Sequence, residues 1–429
     1  MTGTLALLGG APSWVGGWPE WPQASADALP LIGEAIASGR WAISGDWAGR
    51  ETLDRRFSRA FADYLGAAHC LTVDHGSSAL VAALLALDVG WGREVIVPGL
   101  TWVACASAVL RVNAVPVLVD ICPNTLCLSP AAVEAAITPA TAAILVVHLY
   151  STMADMDALR AIAVRHGLPI IEDCAQAHGA LWNGRRAGTL GDIGTFSMQQ
   201  GKTLTSGEGG AVVTSDKHLA VRLEQLRGDG RRYAEMTPPD GHPELVETPG
   251  VQGFNFCLSE IQSALLLDGL GRLDHQNAMR AQNARVLDEG LAGIGGFEPI
   301  RPHPQNGVRA YYHYAVRFDS RDFAGCPLDA VCRALEHELG AWVHPPYRPL
   351  NDHPLYRPHR YPPLNGTALA ERLDPARFAL PEAHRQAGRT ILLHHAMLLA
   401  GTSAIEACVA AFEKVRHNAS ALAAWASAR

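Results

Sequence analysis

Residues 94–120 read EVIVPGLTWVACASAVLRVNAVPVLVD, and their rhythm decides the fold. EVIVP is a short apolar run, TWVACASAVLRV continues as a helix, and VPVLVD is a second apolar run. Strands that are apolar on both faces belong to parallel sheets covered by helices. The same rhythm extends outward. Upstream, DRRFSRAFADYL (54–65) is an amphipathic helix, and SSALVAALLALDV (77–89) is a second one that starts after Gly76. Downstream, AAILVVHL (142–149) is a strand, MDALRAIAVRHG (156–167) a helix closed by Gly167, and LPIIED (168–173) a strand. The expectation is an α/β fold with a mostly parallel sheet. Ligands of such sheets sit beyond the carboxyl ends of the strands. That directs attention to Pro98–Trp102, Asp120, His148–Ser151, Asp173–His178 and Ser197–Lys202.

The texture changes near residue 271. A charged helix, RLDHQNAMRAQNARVLDEGL, precedes the strand YYHYAVRF and a His/Pro/Tyr-rich stretch, HPPYRPLNDHPLY. This divides the chain into a large domain, 1–270, and a smaller α+β domain, 271–429. Residues 1–25 place Trp14, Trp18 and Trp21 among Pro and Gly, as an arm packed against a surface. The Ala-rich tail after Phe412 reads as a fraying helix.

Composition narrows the function. The chain has 429 residues, 35 Lys+Arg against 42 Asp+Glu, a net charge of −7, and 48% hydrophobic residues. The apolar content excludes disorder, and the acidic balance without basic blocks argues against nucleic acid. Nine cysteines with no CxxC pair exclude a zinc ribbon or dithiol motif and fit reduced thiols. The N-terminus lacks a basic signal-peptide segment. Within the longest uncharged run, Ala135–Ala154, the solid apolar part is too short to span a bilayer. A soluble, cytoplasmic protein is expected. Asn365-Gly-Thr and Asn418-Ala-Ser fit the N-glycosylation pattern, which has no meaning in that compartment.

Several nucleotide motifs fail. GKT at 201–203 lacks the phosphate-loop glycine, because that position is Phe196. GEGG at 207–210 has Val212 where a dinucleotide fingerprint needs its third glycine. No GxSxG elbow is present. Lysine, in contrast, is sharply limited: Lys202, Lys217 and Lys414 are the three in the chain. Lys202 is the one charge between Ile193 and Thr205, preceded by a strand and followed by a Gly-rich turn. Burial there would free its amine for Schiff-base chemistry, although a snorkelling loop lysine has the same sequence. Lys217 and Lys414 read as surface residues of polar and amphipathic helices. Asp173 follows an apolar strand, where an acid either caps a helix or pairs with a protonated pyridine nitrogen. Gly76-Ser77-Ser78 opens a helix, as a plain N-cap or a phosphate site. Trp102 either stacks on a cofactor ring or fills the core.

Together and in this order, the segments GRWAISG (39–45), HGSSAL (75–80), EVIVPGLTWVA (94–104), IIEDCAQAHGA (170–180), GDIGTFSMQQGK (191–202), GEGGAVVTSD (207–216) and GFNFCLSEIQSA (253–264) resemble the DegT/DnrJ/StrS sugar aminotransferases. The resemblance runs from Gly39 to Val415. It implies the type I fold of aminotransferases that use pyridoxal 5'-phosphate (PLP), with pyridoxamine phosphate as its intermediate form. Lys202 matches the lysine that carries the cofactor, Asp173 the acid on the pyridine nitrogen, and Gln176 the residue near the ring hydroxyl. Gly76, Ser77, Ser78 and Ser197 match the phosphate site, and Trp102 the stacking aromatic. Asn255 matches an asparagine that reaches the phosphate across a dimer interface, so the resemblance implies a homodimer with shared active sites.

Cys257 and the SMQQGK segment depart from the nucleotide-sugar enzymes. With HLYSTMADMDAL and LLHHAMLLAG, they are most similar to the subgroup that moves an amino group from glutamine to scyllo-inosose or 2-deoxy-scyllo-inosose in aminoglycoside biosynthesis. A nucleotide-linked ketosugar acceptor, 3-amino-5-hydroxybenzoate synthesis, and a non-catalytic PLP-binding regulator are the alternatives. Candidate residues for a cyclitol are His148, Gln199, His344, Tyr347, His394 and His395, with core histidines as the competing reading of the last two. No metal site is expected.

Overall fold

The computed structural model describes residues 3–364 and 366–428. Asn365, in one of the two glycosylation-pattern matches, lies outside them. Seven strands form the main sheet in the order His69–Val73, Gly210–Thr214, Ile193–Ser197, Ile170–Asp173, Thr141–Val147, Glu94–Pro98, Val115–Val119. The last five pair in parallel, and Gly210–Thr214 runs antiparallel to both of its neighbours. The apolar runs expected as strands sit at the sheet centre, where Val95, Ile96, Ile144, Leu145 and Ile171 are fully buried. Helices of small residues pack against them. Gly76–Ala86 is buried nearly all round, which explains why it is apolar without a stripe.

A second, four-stranded antiparallel sheet is ordered Phe297–Pro299, His313–Phe318, Thr390–His394, Val343–His344. It has its own core, built with the helices Leu328–Leu339 and Thr402–His417.

The expected division at 270/271 falls inside one helix, Glu260–Ala292, which opens on a Ser259/Gln262 capping box. Leu266 and Leu273 of that helix belong to the first core, and Ala284, Leu287 and Leu291 to the second. A continuous helix therefore joins the two lobes. The N-terminal arm, assigned to the large domain from sequence, packs largely on the smaller lobe through Leu5, Trp14 and Trp18.

Lys414 corrects the surface reading. It is buried, donating to Glu338 Oε2 at 2.9 Å and to the Ala11 carbonyl at 2.6 Å. Glu338 also accepts from the Ala6 and Ser13 amides, so this ion pair anchors the arm. The tail is also docked: Ala419–Ser427 is a helix with Leu422 fully buried.

Candidate active site

A cavity of about 520 Å³ opens at the carboxyl ends of the parallel strands, between the two lobes. Asp173 ends the strand Ile170–Asp173 and lines it. One carboxylate oxygen accepts from the Ala175 amide at 3.0 Å, and the other from the Cys105 thiol at 3.1 Å. Burial, with Asp173 beside it, pushes the Cys105 thiol well above its ordinary range, so it is a donor. No helix follows Asp173, only turns, so the helix-cap alternative fails. Gln176 is buried and fixed at both ends. Its oxygen accepts from the Tyr150 amide at 2.7 Å, and its nitrogen donates to the Tyr347 hydroxyl at 3.2 Å.

Away from the acid, Gly76, Ser77 and Ser197 also line the cavity. The helix Gly76–Ala86 has no side-chain cap, which leaves first-turn N–H groups available. Gly76 is required by contact: a Cβ there would lie 2.5 Å from the Ser197 Cβ. Ser78 is buried and does not line the cavity. Trp102 is 46% exposed on the cavity wall, so the core-Trp reading fails. Its ring lies 5.7 Å from that of Tyr347.

Lys202 is half-buried, and its Nζ lies 4.1 Å from the Tyr312 ring centroid. Its amide donates to the Gln199 carbonyl at 2.8 Å, closing a turn. Lys217 is exposed on a helix, and Lys414 is locked against Glu338, so Lys202 is the one lysine lining this cavity.

Gln199, His344, Tyr347 and His394 line the cavity as expected. His344 donates from Nδ1 to the Pro345 carbonyl at 2.7 Å and stacks on Trp342 at 3.8 Å. His394 Nδ1 accepts from the Ala396 amide at 3.2 Å. Burial pushes His394 down to about 4, and lowers His344 as well.

Two of the residues expected to meet a cyclitol, His148 and His395, do not line the cavity. His148 is buried, donating from Nε2 to Glu172 at 3.0 Å and accepting from the Ala154 amide at 3.2 Å. Its neighbour Glu172 also takes the amides of Gly188, Leu190 and Gly191. Burial opposes ionisation of Glu172, but His148 and these amides outweigh it and hold the carboxyl low. His148, Glu172 and Cys174 cluster closely enough to hold a metal, yet both ring nitrogens and both carboxylate oxygens already have protein partners. His395 lies behind the wall, with Nε2 3.1 Å from the Gly201 carbonyl.

Asn255 is exposed and bridged to Gly228, with its side chain accepting from the Cys257 amide at 3.3 Å. It does not line this chain's own cavity.

Thr101 falls within the stretch Pro98–Trp102 that the sequence marked, whereas Cys105, Thr195, Tyr312, His313 and Trp342 were missed. Thr195 carries a period-two signal, two residues before Ser197 on the same strand. Tyr312 and His313 sit more than a hundred residues from Lys202, and no local pattern links them to it.

The sheet topology and the cavity at its carboxyl edge define an α/β protein of the type I aminotransferase class. The model of the DegT/DnrJ/EryC1/StrS aminotransferase family matches residues 31–391. The chain is 52% identical to the L-glutamine:2-deoxy-scyllo-inosose aminotransferase of Streptoalloteichus tenebrarius, covering 96% of this chain and 98% of that one. It is 48% identical to the L-glutamine:scyllo-inosose aminotransferase of Streptomyces griseus, covering 97% and 99%. The crystal structure of 3-amino-5-hydroxybenzoic acid synthase matches with a TM-score of 0.76 at 30% identity, covering 94% and 99%. The chain belongs to the DegT/DnrJ/EryC1/StrS aminotransferase family.

Proposed function

We propose that this aminotransferase uses PLP to move an amino group from glutamine to a keto-cyclitol of the scyllo-inosose or 2-deoxy-scyllo-inosose type, in aminoglycoside biosynthesis. One observation carries the cofactor assignment. A single cavity is lined by one amine, one buried acid, and an uncapped helix N-terminus beside Ser197. That donor set suits a group with a carbonyl, a basic ring nitrogen and a phosphate.

Lys202 would hold PLP covalently, Ser77, Ser197 and the first-turn amides its phosphate, and Trp102 one ring face. When bound, the group supplies an electron sink for the carbanion left by loss of the donor α-proton. Asp173, its oxygens oriented by Cys105 and Ala175, would keep a proton on the ring nitrogen. Gln176, fixed by Tyr150 and Tyr347, orients the ring edge. Lys202 Nζ would take up the donor α-proton as general base and return it as general acid. The wall of Tyr312, His313, His344 and His394 orients the acceptor with neutral donors and acceptors, as a polyol requires. Burial lowers the three histidines.

A nucleotide diphosphate needs cationic grip, and among the described residues no arginine lines the cavity. This favours the cyclitol over a nucleotide-linked ketosugar. Identity to the two inosose aminotransferases favours it over 3-amino-5-hydroxybenzoate synthesis. The test is to incubate PLP-loaded protein with glutamine and each of scyllo-inosose, 2-deoxy-scyllo-inosose or a nucleotide ketosugar. Amination of an inosose is expected, and amination of the nucleotide sugar alone would refute the reading.

The active unit we propose is a homodimer in which Asn255 serves the partner's site, consistent with its position outside its own cavity. Lys202→Ala and Asn255→Ala proteins mixed after subunit exchange should exceed the mean activity of the parents. Activity equal to that mean would place Asn255 in its own subunit. Nine free cysteines support a cytoplasmic location, and no helix among the described residues is long and apolar enough to cross a membrane.

A further inference from the structure

The N-terminal arm has no part in the chemistry described above, yet it ends against the turn that carries Lys202. Trp14 donates from its amide to the Glu338 carbonyl at 3.0 Å, and Trp18 from its indole to the Leu339 carbonyl at 2.7 Å. These contacts lie on the smaller lobe. The chain then crosses to the long helix, where Asp268 accepts from the Ser25 amide at 3.1 Å. Between the two anchors, the Trp21 indole N–H donates to the carbonyl of Lys202 at 3.2 Å.

The preceding carbonyl, of Gly201, lies 3.1 Å from His395 Nε2. A carbonyl can only accept, so this contact assigns the proton to Nε2. The two rings pack edge to face at 4.6 Å, and the Arg280 guanidinium lies 5.3 Å from the Trp21 ring. Arg280 is fully buried, and its Nε and Nη2 have no hydrogen-bond partner, so the aromatic face is part of what it has in place of water. Two consecutive carbonyls of the lysine turn are thus each held by an aromatic N–H, one from each end of the chain.

We propose that Trp21, with His395 beside it, is a positioning residue that fixes the Gly201–Lys202 backbone and thereby the reach of the Lys202 amine into the cavity. The inference rests on Lys202 being the cofactor lysine. A flexible four-carbon side chain on a loose turn samples many positions, and holding the reacting group is where rate is gained. The clamp also links the lobes, because its N-terminal anchors lie on the smaller one.

The test compares Trp21→Phe, which keeps a ring and loses the N–H, with Trp18→Phe, which loses the neighbouring arm contact. Hydrogen exchange on PLP-loaded protein should show amides within 199–206 exchanging about tenfold faster in Trp21→Phe, the scale of one lost hydrogen bond. The pH midpoint of the cofactor absorption band should move, and kcat should fall about tenfold while KM for glutamine stays within about twofold. Trp18→Phe should instead loosen 336–343 and leave 199–206 alone. Unchanged exchange at 199–206 in Trp21→Phe overturns the proposal. So does faster exchange with an unmoved midpoint and unmoved kcat, which would make the contact merely structural, and so does equal loosening of 199–206 by Trp18→Phe. Failure of the underlying reading looks different: the cofactor would be fixed to another lysine in wild-type protein, whatever the exchange pattern.

Discussion

The cavity has two walls of different origin. One comes from the seven-stranded sheet: Asp173 at a strand end, and Trp102, Gln176, Lys202 and the helix start at Gly76 three to five positions past one. The other comes from the antiparallel sheet and its connections: Tyr312, His313, Trp342, His344, Tyr347 and His394. The first wall holds fixed charge and free backbone amides. The second holds rings with no fixed charge. Under the function proposed above, the difference separates two tasks. Charge development on a cofactor needs a preorganised acid and amine, whereas recognition of an uncharged hydroxylated ring needs neutral hydrogen-bonding groups.

Three changes probe that separation, in order of expected size. Asp173→Asn keeps the shape and removes the charge. Turnover should fall at least about a thousandfold with cofactor still bound, as measured by single-turnover kinetics with glutamine alone. Near wild-type rates would mean that the sheet wall does not need its acid.

The second change concerns pH and belongs to the ring wall. His394 titrates near 4 in the folded protein, against an ordinary value of 6.5. A depressed histidine gives its full stability above about pH 6.5 and loses it as the pH falls toward 4, because the unfolded chain takes up the proton first. Wild-type protein should therefore lose about 2 kcal/mol from this residue between pH 7.5 and 5. His394→Asn should lose correspondingly less, as read from urea midpoints at the two pH values. Identical losses would show that the ring is not held neutral.

The third and smallest change separates the half-reactions. His394→Asn should raise the acceptor KM about tenfold, the scale of one hydrogen bond, and leave the glutamine half-reaction within about twofold. Equal damage to both halves would erase the distinction between the walls.

Most of the sheet wall was legible in sequence because Trp102, Asp173, Gln176 and Lys202 are each local to a strand that the sequence shows, while Gly76 was marked by the helix it opens. The ring wall was legible only in part. His344, Tyr347 and His394 were candidates by composition, but Tyr312 and His313 reach the site through a strand whose own pattern says nothing about the cavity. His148 was misplaced for a similar reason. It follows an apolar strand, yet its ring turns sideways to Glu172 on the adjacent strand, where Val147 pairs with Asp173. Lys414 looked solvated because its partner Glu338 lies 76 residues away. The strand His69–Val73 and the helix Ala28–Ser38 also went unread. The first is half-buried at a sheet edge, and the second keeps only Ala28 and Ala35 buried, so neither shows a clean period.

On the proposed function Lys202, alone among the three lysines, carries the cofactor. Borohydride reduction of PLP-loaded protein, followed by peptide mapping, tests it directly. The expected result is a single phosphopyridoxyl adduct on Lys202, within the peptide that contains GDIGTFSMQQGK. An adduct on Lys217 or Lys414, or none on any lysine, would contradict the account.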